Sequence, residues 1–522
     1  MKVLRIEHLM WSIICIASIF THTYQMTDTC ILPKWYFTIS ALLFGLCVLS
    51  IKQLLGKSIR INIIVVCYIL IITCFVQALY GIEQWMCDIS ERNCCPVTGS
   101  FNNPAGFASC LCAGLPFAVI CWKQVNAKLI KASVILMVLF IIIALIMSKS
   151  RTGIFSLVFM LILYVYNYLP FKRKCKIIIL SLFLIICFLF LYFSRKDSAN
   201  GRLLIWKNTW EMIKETPFLG KGPGAFRAHY MDFQANFFKD NIDSEYAMLA
   251  DNVISPFNEY LSITLQYGLI GLLALLLFFL WLIYPFYKKA SIDKRIALLS
   301  FSGIGVFSFF SYPFSYPFIW IIAFLDIWIL CHERFKRTCI FSHKKFLSFL
   351  IIICCLKALN YLSLRIDAEY KWENIAYQHP TKEILSCYAK LLPIMERNPF
   401  FLYNYAIALS EAGYIEESLK RAQQCRCYWA DYDLELLLGE NMKRQRRYRE
   451  AMLHYKNASM MCPCRFIPLY QLFEIYEEIG DKDKACSIAL LILEKPVKVN
   501  SKVVMQIRYK VRNFLREECD LF

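Results

Sequence analysis

The sequence predicts an all-α fold: a polytopic membrane helix bundle of about eleven spans, followed by an α-solenoid of helical repeats. Three observations predict it. Long apolar blocks recur along the first two-thirds of the chain, such as "IIVVCYILIITCFVQALY" (63–80) and "LIKASVILMVLFIIIALIM" (129–147). Lysine and arginine collect in every second connection between the blocks. From about residue 364 the composition turns polar, and a repeat of 33–34 residues emerges.

Of the 522 residues, 58% are hydrophobic, and the mean hydropathy is +0.48. A soluble domain is nearer half apolar, with those residues dispersed rather than gathered. The spans run roughly over 9–25, 35–51, 61–81, 104–122, 129–147, 152–170, 175–193, 260–285, 296–312, 316–331 and 346–363, each near the ~20 residues that one crossing needs. The first, in "MKVLRIEHLMWSIICIASIF", resembles a signal peptide. It lacks a small-residue cleavage site and further spans follow, so it reads as a span.

With the N-terminus inside, the inner loops carry "MKVLR", "KQLLGKSIR", "FKRK", "YKKASIDKR" and "ERFKRTCIFSHKK". The short outer loops hold Lys34, Arg92, Lys149 and Arg151. This positive-inside bias sets the sidedness. It places 194–259 outside as one long loop and, with an odd number of spans, the C-terminal region outside as well. The domains are then a membrane domain, 1–363, and a repeat domain, 364–522. The net charge of +19 is a property of the inner loops. No basic stripe with interleaved aromatics points to nucleic acid. Of the 24 cysteines, Cys67, Cys74 and Cys187 sit inside apolar runs as small hydrophobes. Cys425-x-Cys427 and Cys462-x-Cys464 are too close for the usual zinc ligand pair, so no metal is expected.

"SKSRTG" (148–153) joins two spans on the outer side. A cation that breaks the positive-inside pattern is a functional candidate. The competing reading, a snorkelling anchor, suits Lys149 better than Arg151. In the long loop, Leu203, Ile205, Trp206, Trp210 and Ile213 have the spacing of an amphipathic helix over 202–214, headed by Arg202 and suited to a bilayer surface. "GKGPGAF" (220–226) lacks the Lys-Ser/Thr ending of a phosphate loop and reads as a turn. Asn258 and Glu259 sit at the outer start of the next span. A carboxylate there is either a helix-start residue favoured by the dipole or a site residue.

In the C-terminal region Ala406, Gly439 and Phe473 fall in register, as do Ser418, Ala451 and Ala485, and Pro463 and Pro496 close two units. The segments align as helix–turn–helix pairs and resemble tetratricopeptide repeats. Such a stack either holds a partner protein on its concave face or caps the membrane domain. Both readings stay open.

Four motifs, in order, resemble the O-antigen ligase and polymerase superfamily of bacterial envelope membrane proteins. "GSFNNPAGFASCLCAGLPFA" (99–118) is similar to that family's Gly-Thr-Phe-x-Asn-Pro entry to a span. "SKSRTG" is similar to its Ser-x-Ser-Arg motif. "GRLLIWKNTWEMIKETPFLGKGPGAF" is similar to its Arg-x-x-x-Trp…Pro-x-x-Gly-x-Gly segment. "SPFNEYLSITLQYGLIGLL" is similar to its His-Asn-Glu-Tyr-Leu…Gly-x-x-Gly ending. The resemblance covers about 99–280.

It implies an undecaprenyl-diphosphate-linked glycan as donor and transfer to an acceptor hydroxyl on lipid, protein or polysaccharide. The reaction would run at the periplasmic face of the bacterial inner membrane, with no cofactor. Arg151 and Arg202 match the family's diphosphate-binding arginines, with Ser150 and Asn258 beside them in the motifs. The chemistry agrees: a guanidinium fork stays charged and binds phosphate oxygens, and fixed charge aimed at a leaving diphosphate lowers the barrier. Where the family often has His before Asn-Glu, this chain has Phe257. The residues then open as base are Glu259, Asp251 and His229, the last being the one histidine in the loop.

Ligase and polymerase share this chemistry. A non-catalytic membrane anchor for the repeats is the alternative, and it gives the outer arginines no role. A transporter would carry charges deep within its spans, where Asp326 is the exception in this sequence.

Overall fold

The computed structural model describes residues 5–90, 97–166, 172–193, 196–284, 291–338 and 344–518. Among these, every regular element is helical. By contacts the chain divides into two units. The first comprises Met1–Leu191, Phe257–Glu259 and Ala274–Asn374, and the second Tyr192–Pro256, Tyr260–Leu273 and Ile375–Phe522.

The first unit holds α1 (Ile6–Phe20), α2 (Ile31–Leu54), α3 (Ile63–Ser90), α4 (Pro104–Gln124, with a short 3₁₀ turn at Leu115–Phe117), α5 (Lys128–Met147), α6 (Arg151–Tyr166) and α7 (Arg173–Phe193). Among the described residues six helices are long and apolar enough to cross a bilayer, and three shorter ones are apolar. α4 is the central helix, packed by α3, α5 and α6. Its sequence "AGFASCLCAG" explains this, because small residues let neighbouring backbones approach. A Cβ at Gly106 would lie 2.5 Å from the Tyr316 ring, and one at Gly114 would strike Cys74 Sγ. On α5, by contrast, Ile135, Leu136, Leu139, Ile143 and Ile146 point outward. An apolar exterior around a small-residue interior is the arrangement that lipid favours.

The expected second-unit helix over 202–214 is longer, α8 (Lys196–Glu215), and α9 (Ala225–Asp240) follows. The face of α8 that is buried carries Leu204, Ile205, Asn208, Thr209, Met212 and Ile213. Leu203 and Trp210, counted above with its apolar side, are exposed. The Thr209 hydroxyl donates to the Ile205 carbonyl (2.7 Å), which satisfies it within the helix and lets a polar residue face inward.

Next comes α10 (Glu259–Ile283), expected as one uninterrupted span. It breaks at Gly268 (φ 67°, ψ −172°). The break is filled by "PFLGKG". The Lys221 and Gly222 amides donate to the Leu265 and Gln266 carbonyls (2.8 and 3.0 Å), and the Leu269 amide donates to the Pro217 carbonyl (2.8 Å). The turn thus supplies the backbone partners that the interrupted helix lacks. Any Cβ at Gly268 would strike the Phe218 carbonyl, and one at Gly220 would lie 2.5 Å from the Gln266 backbone.

The chain continues through α11 (Ile292–Phe310), α12 (Pro317–Thr338) and α13 (Lys344–Ala376). α11 and α12 pack on α4. Asp326, on α12, is buried with Oδ2 2.9 Å from the Ser300 hydroxyl. The shift to polar composition near 364 falls inside α13, which runs on unbroken.

The C-terminal helices pair in succession. α14 (Lys382–Met395) leads into α15 (Pro399–Glu411) with α16 (Ile415–Arg426), α17 (Tyr432–Arg444) with α18 (Tyr448–Met461), and α19 (Ile467–Glu478) with α20 (Lys482–Glu494). α21 (Lys502–Glu518) closes the series. All six in-register positions noted above are buried. The Ser418 hydroxyl donates to the Ala406 carbonyl (2.6 Å), and a Cβ at Gly439 would lie 2.7 Å from the Tyr455 ring. Each turn between paired helices has a residue with positive φ: Gly413 (85°), Arg446 (59°) and Gly480 (74°). This is a stack of paired helices of the kind helical repeats form.

Candidate functional site

A polar cluster forms in the first unit where the α3–α4 connection, the α11–α12 connection and the start of α10 meet. Asn103 caps α4, its Oδ1 accepting the Gly106 amide (2.7 Å), with Pro104 at the first helical position. Its Nδ2 donates to the Tyr316 and Tyr312 hydroxyls (2.9 and 3.1 Å), and the Tyr316 hydroxyl donates to Asn102 Oδ1 (2.7 Å). The Glu259 carboxylate accepts the Phe314 amide (3.2 Å). Phe257 sits beside it with φ 52° and its ring 5.3 Å from that of Tyr312. Asn258 is buried. A bulky residue held at positive φ is strained, and such strain collects at functional sites.

"SKSRTG" is a built turn in the same unit. The Ser148 hydroxyl donates to the Leu145 carbonyl (2.7 Å) and accepts the Ser150 amide (3.2 Å). Ser150 Oγ accepts the Gly153 amide (3.3 Å), which starts α6. Cys112 of α4 reaches the Gly153 carbonyl (3.3 Å), and a Cβ on Gly153 would lie 2.7 Å from Ala108. These contacts hold the turn against α4. Arg151, half-buried, is the first residue of α6, while Lys149 is exposed with φ 51°. Helix starts in general favour anions through their free amides and dipole.

The other candidates fall in the second unit. Arg202 is half-buried on α8, and the neighbouring Trp206 donates through Nε1 to the Pro256 carbonyl (3.0 Å). His229 lies exposed on α9. Desolvation first, and then nearby Lys221, hold its imidazole below the ordinary range. Asp251 pairs with Arg465, which follows α18, at 2.6 Å. That pair belongs to a wider attachment of the segment 196–256 to the C-terminal helices. Gln234 Nε2 donates to the Met461 carbonyl (2.6 Å), the Ala430 amide to the Arg227 carbonyl (3.0 Å), and Arg426 bonds to Asp232. The repeats therefore hold a segment of their own chain.

Asn102, Asn103, Tyr312 and Tyr316 were not among the expected site residues. Two signals point to them: Asn-Pro, a helix-start signature, and the doubled Tyr-Pro of "SYPFSYP". Among the described residues no group of three or more His, Cys, Asp or Glu is placed to hold a metal ion.

No curated protein and no solved structure matches the chain. Residues 135–276 match the family model described as O-Antigen ligase. The matched stretch runs from within α5 to beyond the Gly268 break, and it contains the Ser-Lys-Ser-Arg turn, Arg202 and the Phe-Asn-Glu entry to α10. Over these residues the chain is similar to the O-antigen ligase family.

Proposed function

We propose that this protein transfers a glycan from an undecaprenyl-diphosphate-linked donor to an acceptor hydroxyl, at the outer face of a bacterial inner membrane. The observation that carries the proposal is the presence, in one unit, of an arginine at a helix start and a carboxylate oriented by a backbone amide, both within the family's matched stretch. In the reaction the acceptor oxygen bonds to the anomeric carbon of the donor sugar. The bond from that carbon to the phosphate oxygen breaks, and the diphosphate leaves with the electron pair. Arg151 binds the diphosphate and stabilises its growing charge; for Arg202 the same task rests on its match to the family motif. The acceptor proton passes to Glu259, whose Oε1 is held by the Phe314 amide while Oε2 serves as base. An oxocarbenium-like transition state asks little of that base, so a carboxylate suffices where Phe257 replaces the family's histidine. Asp251 is better read as a structural partner of Arg465, and His229 as a surface residue of α9.

The sidedness follows the basic loops: eleven spans, with 194–259 and the tetratricopeptide-like repeats in the periplasm.

The test is transfer from purified lipid-linked donor by protein in lipid nanodiscs. Arg151→Ala and Arg202→Ala should each lose about a hundredfold or more, and Arg→Lys should restore part, because an ammonium lacks the bidentate fork. Full activity in either alanine variant would mean that the donor is held elsewhere.

A further inference from the structure

A cavity of about 670 Å³ opens at the ends of α1, α2 and α3 that lie opposite the basic loop 52–60. The proposed site does not use it. One wall is apolar: Val76, Leu79 and Tyr80 line it and are themselves 43, 38 and 46% exposed, so it is continuous with the lipid-facing surface of α3. Glu83 follows one turn along the same helix face, and His22 and Ser100 come from the other connections. An apolar wall at the bilayer with polar groups beyond it fits an amphipathic ligand.

Charge narrows its chemistry. Glu83 brings a carboxylate to the lining, whereas the nearby cation, Lys34, is fully buried. Its Nζ donates to the Thr21 carbonyl (3.0 Å) and lies 5.6 Å from the Phe101 ring centre. A phosphate headgroup would meet Glu83 at close range, while hydroxyls would donate to it. Beneath the cavity the Ser100 hydroxyl donates to Gln77 Oε1 (3.1 Å), and Gln77 Nε2 is a buried donor with no partner among the described residues. Tyr24 and Tyr80 offer aromatic faces, on which the C–H faces of a pyranose stack.

The cavity also adjoins the polar cluster. Phe101 lines it, and the same ring packs edge-to-face on Tyr316 at 5.0 Å, the tyrosine bonded to Asn102 and Asn103. We propose that this cavity is the acceptor subsite, taking an uncharged, hydroxyl-bearing sugar headgroup carried on a lipid chain. The assignment rests on the glycan-transfer reading.

Cys30 lines the cavity and serves as a native reporter. In nanodiscs, its alkylation by an impermeant maleimide is followed by peptide mass spectrometry, with octyl β-glucoside or octyl phosphate added below micellar concentration. The glucoside should slow Cys30 roughly fivefold at about four times its Kd, leaving exposed Cys87 unaffected, and the phosphate should not. Tyr80→Ala and Glu83→Gln should remove the protection. Equal protection by both probes, or protection retained in Glu83→Gln, overturns the sugar assignment. No protection by either overturns the site. Because this readout needs no donor, protection without any transfer would sink the proposed reaction and leave the site standing. Transfer with acceptor KM unchanged in both variants would do the reverse.

Discussion

Two carboxylates, one in each unit, are held in opposite ways. Glu435 of α17 is 3% exposed, with Arg426 Nε at 2.9 Å and His454 Nδ1 at 2.8 Å. Burial pushes its carboxyl up, but His454 and Arg426 outweigh burial and hold it below the usual carboxylate range. Arg426 continues to Asp232 on α9, so this network ties the segment 196–256 to the C-terminal helices. Glu259, half-buried at the head of α10, accepts a backbone amide from Phe314. A carboxylate enclosed by a guanidinium and an imidazole is a cross-link, and both of its oxygens are already engaged. One oriented by a neutral dipole keeps the capacity to take a proton. The same side chain thus serves architecture in one unit and is suited to chemistry in the other.

The widest separation should come from the isosteric change at both positions. Glu259→Gln should lower glycan transfer by about a hundredfold or more while leaving thermal unfolding unchanged. Glu435→Gln should keep turnover per folded molecule but destabilise the repeat unit by roughly 2 kcal/mol, since it weakens the hydrogen bonds to His454 and Arg426 and leaves Arg426 with Asp232 as its one carboxylate. Hydrogen exchange over α16–α18 reads that loss. If the two variants have interchangeable effects, the contrast between the carboxylates is wrong. The Glu435 contribution also carries a sign in pH. Its folded pKa is depressed, so its stabilisation is present above about pH 4.3 and is lost as pH falls through the folded value.

Asp431 sharpens the comparison from the opposite direction. It caps α17 by accepting the Asp433 amide (2.8 Å), and burial pushes its carboxyl up to about 6. A folded pKa above the unfolded value means that its contribution falls as pH rises from about 4 to 6. Asparagine keeps the cap without the buried charge. Asp431→Asn should therefore stabilise the unit by about 1–2 kcal/mol at pH 8 and do little at pH 4. Equal effects at both pH values would show that the carboxyl is not desolvated. The smallest effect is expected at Arg446, which occupies the left-handed position that Gly413 and Gly480 fill in the neighbouring pairs. Arg446→Gly should raise stability by about 1 kcal/mol, measured as the shift in unfolding midpoint. A lower midpoint would mean that the arginine side chain contributes more than its backbone strain costs.

The spans, the basic loops and the repeat register were legible because each is a local or periodic property of the chain. A bilayer demands apolar length, and stacked helix pairs demand small residues at fixed intervals, so Ala406, Gly439, Ser418, Ala451 and Ala485 announced themselves. The Ser-Lys-Ser-Arg turn was visible as a charge out of place. Asn103 and Tyr316 were harder, since 213 positions separate the partners and neither is unusual by itself. Periodicity chose the wrong members for the buried face of α8, because an inward threonine satisfied by its own helix looks polar in sequence.

By itself the sequence determined the all-helical, membrane-length character of the first part and the repeat period of the last part. The reason is that water, lipid and backbone hydrogen bonding act on every residue according to its type. Only the tertiary structure decided that the segment 196–256 binds the C-terminal helices through Arg426, Gln234 and Arg465, and that the Gly268 break is filled by the Pro217–Gly222 turn. It also brought Glu259 to the Phe314 amide. Each of these is a pairing between polar groups far apart in the chain. Such groups have many possible partners of equal chemistry, and packing of the surrounding helices selects among them.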